Sequence, residues 1–103
     1  MNDPKSCMTM AQVRAGVDAL DEEIMTLLGR RMRFIEAAAR IKPDRAQVRD
    51  EPRKAAVIAH AREAAARAGF PPELAGEIYE MLVEGSIAWE LACFDRRHGA
   101  EAD

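Results

Sequence analysis

Arg14, Arg31, Lys42 and Arg53, with Ser86 and Glu90, are the side chains whose types and spacing suit the grip of a small dianion. Arg31 and Lys42 are eleven residues apart. On a helix that spacing returns to within about 20° of the same face, roughly 16 Å further along. Two long cationic side chains reaching toward each other across such a gap embrace a small anionic ligand. Arg14 lies roughly 25 Å before Arg31 on the same helix, so the two cannot hold one small molecule from a single chain. If they share a ligand, they come from different subunits. Ser86 and Glu90, four residues apart, share a helix face with Leu82. An apolar setting favours the protonated form of a carboxyl, which would let Glu90 donate a hydrogen bond.

The elements that must position these groups read as three helices: long, short and long. Thr9 and Gln12 form a T-x-x-Q capping box, and Met8 with Val13 can close a hydrophobic staple. From there apolar residues recur at Val13, Val17, Leu20, Ile24, Leu27, Phe34, Ala38 and Ile41, in steps of four and three. Between Leu27 and Phe34 the stripe demands an apolar residue, and the sequence supplies Arg31. Burying a cation without a partner costs several kcal/mol, so something anionic should meet it. Pro43 ends the pattern, giving a first helix over residues 9–42, about 50 Å long. A helix of that length in so short a chain calls for another long helix beside it, hence a dimer.

Asp50 caps a second helix that tolerates Pro52 in its first turn and opens with Arg53; it ends at Gly69, which supplies the left-handed stop. "FPPE" turns the chain into a third helix over 72–97, whose inward side reads Leu74, Ile78, Met81, Leu82, Gly85, Ala88, Trp89 and Ala92. Residues 1–8 are then an N-terminal extension, 9–97 one helical domain, and 98–103 a disordered tail. The fold class is all-α.

Composition narrows the classes further. Hydrophobic residues make up 49% of the 103, but aromatic ones only 5%, so the apolar supply is aliphatic and suits helices. A formal charge of −3 argues against nucleic acid as a partner. Cys7 and Cys93 lie far apart without ligand-like spacing, which speaks against a metal site and against a disulfide framework. No apolar run approaches the roughly 20 residues of a membrane span, and the N-terminus carries no apolar signal core. A cytoplasmic soluble protein is the plain reading.

These residues resemble the all-helical chorismate mutases, including their isochorismate-pyruvate lyase branch. The resemblance covers about residues 8–97 and is carried by "VRAGVDALDEEIMTLLGRRMRFIEAAARIK", "RDEPRKAAV" and "EGSIAWELACF". It implies an intertwined helical homodimer with two shared sites. Arg14 then resembles the arginine lent by the partner subunit to one substrate carboxylate, and Arg31 the arginine that grips a carboxylate from the long helix. Lys42 resembles the lysine donating to the ether oxygen of the breaking bond. Arg53 and Asp50 match residues at the site and near the ring hydroxyl, and Ser86 a serine near a carboxylate. Glu90 stands where many such mutases carry glutamine, and must be protonated to donate. Lys54 stands where a hydroxyl-binding glutamate is common. "LGRRM", the Cys7 region and the short Lys42–Arg53 connection look closer to the lyase branch, whereas Asp50 and Ser86 look closer to the mutases.

The activity so implied is the pericyclic rearrangement of chorismate to prephenate, which needs no nucleophile, metal or cofactor. Isochorismate-pyruvate lyase chemistry, giving salicylate and pyruvate, is the alternative within the family. A non-catalytic helical dimer binding a dicarboxylate metabolite is the alternative outside it. Each cation also has a bland reading: Arg31 can pair with Glu36, Glu77 or Glu84, Glu90 can pair with Arg31 or Lys42, and Arg14, Lys42 and Arg53 can be surface charges.

Overall fold

The computed structural model describes residues 3–102, and beyond Gly99 the backbone alone. Three α-helices account for most of it: α1 Met10–Ile41, α2 Glu51–Ala68 and α3 Pro72–Ala102. Single 3-10 turns stand at Pro4–Ser6 and at Arg45–Gln47, and no strand occurs among the described residues. The chain divides into two compact units, Met1–Phe34 and Ile35–Asp103.

In the first unit the capping box closes as the sequence leads one to expect. Thr9 N–H donates to Gln12 Oε1 and Gln12 N–H to Thr9 Oγ1, each at 3.2 Å. The staple does not close, because Met8 is 87% exposed. Its N–H donates instead to Gln12 Oε1 at 2.6 Å. Val13, Val17, Leu20, Ile24 and Leu27 recur along α1 as expected and are all exposed. Arg31 follows them as a half-buried side chain. The stripe that was to form an apolar seam is therefore exposed in this chain.

The second unit holds the buried residues. Asp50 caps α2, accepting from Arg53 N–H at 2.9 Å, with Pro52 in the first turn. Gly69 ends the helix at φ 74°, a conformation that L side chains rarely adopt, and Phe70 N–H reaches Ala65 O at 2.9 Å. Val48, Val83 and Ile87 form the core cluster, with Val57 and Leu91 packed on it. Small residues let α2 and α3 approach closely: Ala65 and Ala75 are buried, and the Arg62 guanidinium lies over Gly76.

Two expectations for the third helix need correcting. Its packed face is not the one named from the sequence. Ala75, Val83, Ser86, Ile87, Glu90 and Phe94 are buried, whereas Leu74, Ile78, Met81, Gly85, Ala88, Trp89 and Ala92 are exposed. The helix carries two apolar stripes, and α2 takes the one about two-fifths of a turn away; of the expected set, Leu82 alone is half-buried. The helix also runs on to Ala102 instead of stopping near 97, because Gly99 does not adopt the left-handed conformation, which Gly69 alone takes among the described glycines.

Candidate functional site

Glu90 brings a buried carboxyl to the second unit. It lies on the packed face of α3 and is 4% exposed, as is Ser86 one turn before it. Helix spacing explains both, since positions 83, 86, 87 and 90 share a face with the core valine and isoleucine. The Ser86 hydroxyl donates to Leu82 O at 2.7 Å, which ties it to its own helix.

Lys42 reaches this carboxyl from the end of α1. Its N–H continues the helix by donating to Ala38 O at 2.9 Å, and Pro43 then stops it. The ammonium stands 2.8 Å from Glu90 Oε2, with the lysine side chain partly solvated and the carboxyl almost fully covered. It does not approach along a hydrogen-bonding direction, so Oε2 has a countercharge but no donor aimed at it. Beside the pair, Trp89 Nε1 donates to Glu36 Oε2 at 2.9 Å, fastening α3 to the last turns of α1.

The other candidate residues fall as follows. Asp50 and Arg53 are exposed and joined to each other through the helix cap. Arg14 is exposed on the first unit, seventeen residues before Arg31 on one continuous helix. One chain therefore does not bring Arg14 and Arg31 together.

Three cations around the α1–α2 connection make ion pairs that the sequence reading did not single out. Arg45 grips Asp95 with two prongs, at 2.9 and 3.2 Å. Arg49 holds Glu84 at 2.7 Å and Glu51 at 2.8 Å. Lys54 completes the network with Glu80 at 2.7 Å and Glu84 at 2.8 Å. Hydrogen bonds from Arg49 and Lys54 push the Glu84 carboxyl down to about 2, and the Glu80 and Glu84 carboxylates push the Lys54 ammonium up. Except for Glu51, two residues from Arg49, their partners lie 26 to 50 residues away, a range at which a single sequence carries no pairing signal.

Residues 13–91 match the family model described as chorismate mutase type II. The chain belongs to that family. Chorismate mutase type II membership covers both units and both halves of the ion pair at Lys42 and Glu90. The chain is also 27% identical to the isochorismate pyruvate lyase of Pseudomonas aeruginosa over 100 residues, 97% of this chain and 99% of that protein. Among the described residues no group of three or more His, Cys, Asp or Glu side chains could hold a metal ion, and no helix is long and apolar enough to cross a membrane.

Within this chorismate mutase type II chain, Lys54 is engaged on α3 instead of standing free at the position where the resemblance leads one to expect a glutamate. Its ammonium neutralises Glu80 and Glu84 on α3, where a glutamate would add a third negative charge.

Proposed function

We propose that this chain is a chorismate mutase, rearranging chorismate to prephenate within a homodimer whose two sites are each built from both subunits. The observation that carries the proposal is the Lys42 ammonium 2.8 Å from a buried Glu90 carboxyl. The reaction breaks an ether C–O bond while a C–C bond forms, and partial negative charge grows on the ether oxygen. An ammonium and a protonated carboxyl aimed at that oxygen stabilise the charge where it develops, once Lys42 has turned from Glu90 to the substrate and Glu90 has taken up a proton. Removing one such donor typically costs about 10²–10³ in rate.

The two carboxylates of the substrate fall to Arg31 of one subunit and Arg14 of the other, which hold the flexible molecule in its reactive shape. Arg53, Asp50 and Ser86 line the remainder of the site in this reading. The exposed stripe from Val13 to Leu27, and the second apolar face of α3 from Leu74 to Trp89, supply the surface that the partner would cover. Exposed apolar stripes of that length are unusual on a free-standing chain.

The likeness to a lyase over nearly the whole of both chains favours a second reading, cleavage of isochorismate to salicylate and pyruvate. Both reactions use one pericyclic geometry and the same charge-stabilising pair. Parallel turnover of chorismate and isochorismate by the purified protein, from about pH 4 to 8, separates them. Consumption of neither substrate across that range would overturn both.

A further inference from the structure

The segment joining α1 to α2 is held on α3 at three points. Arg45 Nε donates to Asp95 Oδ1 at 2.9 Å and Arg45 Nη2 to Asp95 Oδ2 at 3.2 Å. Val48 drops into the cluster with Val83 and Ile87. Arg49 grips Glu84 on α3 and Glu51 at the start of α2. Along α3, Glu90 falls between the Val48 anchor at Ile87 and the Arg45 anchor at Asp95. The segment thus spans the length of helix that carries the buried carboxyl.

The anchors differ in kind. Val48 is held by apolar burial, which is indifferent to salt, and Arg49 by two carboxylates at once. The Arg45–Asp95 pair is exposed on both sides, so water and salt screen it and its hold is weak. It is also the anchor nearest Lys42 in sequence, with only Pro43 and Asp44 between, so little slack separates the pair from the ammonium.

We propose that Arg45 and Asp95 are positioning residues: their two-pronged pair sets the fraction of molecules in which the first half of the connection lies closed on α3 with Lys42 at Glu90. Val48 and Arg49 keep the second half in place whether the first is open or closed. The kinetic part of this inference rests on the proposed function; the conformational part does not.

The test is Asp95→Asn in the full chain. With the better of the two substrates, KM rises about two- to fivefold and kcat changes little, because a bound dianion draws Lys42 and its segment back down. Raising KCl to about 1 M erases the difference between wild type and variant. Amide exchange quickens at Gln47 and Val48, whose N–H groups bond to Asp44 O and Arg45 O, while the α2 and α3 amides keep their rates. The charge-swapped double variant, Arg45→Asp with Asp95→Arg, restores KM and exchange together. Unchanged exchange at these two amides, or a uniform rise through α2 and α3, overturns the proposal. If the wild type turns over neither substrate, the functional reading fails, and the exchange arm with its charge-swap rescue still decides this one.

Discussion

Lys54 and Glu84 meet at 2.8 Å across the α2–α3 interface, where Arg49 approaches the same carboxylate from the other side. Glu84 therefore carries two cations, and its carboxyl is lowered from 4.5 to about 2. A carboxylate depressed in the folded state contributes stability that is fully present above its unfolded value and is lost as pH falls through its folded one. The window here runs from about 4.5 down to about 2. Glu84→Gln should lower the thermal midpoint at neutral pH, and the gap to wild type should shrink through that window and close below it. Thermal unfolding followed by circular dichroism at stepped pH checks this. A gap that persists undiminished below pH 2 would mean the glutamine disturbs packing instead of charge.

Lys42 and Glu90 give a prediction in two parts. With Lys42→Met, the buried carboxyl loses its countercharge, and leaving such a group unpaired costs about 1–3 kcal/mol. Denaturant unfolding should register that loss, along with a fall in turnover of about 10²–10³. With Glu90→Gln, a permanent donor replaces one that needs a proton. At neutral pH the variant should turn over substrate at least as fast as the wild type. A fall of about 10²–10³ instead would mean that the reaction uses the carboxylate and not a hydrogen-bond donor at this position.

What the sequence made legible follows from the range of each interaction. The Thr9–Gln12 box, the Asp50 cap and the Gly69 stop are settled within four residues, and all three stand where local chemistry puts them. Lys42 and Glu90 were each singled out by helix spacing, one from Arg31 and the other from Leu82 and Ser86, and pairing was only one of several outcomes open to them. The face of α3 was misjudged because two apolar stripes satisfy the same periodicity, and only the packing of α2 chooses between them. Arg45–Asp95 and Lys54–Glu84 were out of reach altogether, since charged residues far apart in a chain with 32% charged positions have many equivalent partners.

The exposed stripe of α1 leads to a prediction about assembly. Leu20→Glu and Ile24→Glu each place a carboxylate on a surface that water reaches in the single chain, so the chain itself should stay helical. If a second copy covers that stripe, the charge is buried on association at a cost of several kcal/mol, and the dimer should dissociate. Sedimentation velocity of wild type and both variants decides this. A wild type that sediments as a monomer would end the shared-site reading, because Arg14 and Arg31 then never meet.

Gly29 offers a stability gain that also probes the dimer. It sits inside α1 off the apolar stripe, and a Cβ there would touch nothing within 4 Å. Gly29→Ala should therefore stabilise the protein by about 0.5–1 kcal/mol through helix propensity alone. A measured loss instead would show that another surface comes close to Gly29 in the assembled protein.

Asp50 carries two candidate roles, which separate chemically. Its carboxylate accepts from Arg53 N–H at 2.9 Å and so caps α2. In the proposed site it would also face the ring hydroxyl of the substrate. Serine caps about as well as aspartate but brings no charge, whereas alanine does neither. Asp50→Ala should cost about 1 kcal/mol in denaturant unfolding, and Asp50→Ser only a few tenths. If Asp50 binds substrate, both variants should raise KM by a similar factor despite their different stabilities. If it only caps, KM should follow stability, moving with alanine and staying put with serine. Serine's KM thus distinguishes a ligand contact from a helix cap, since in that variant the fold is preserved and only the carboxylate is gone.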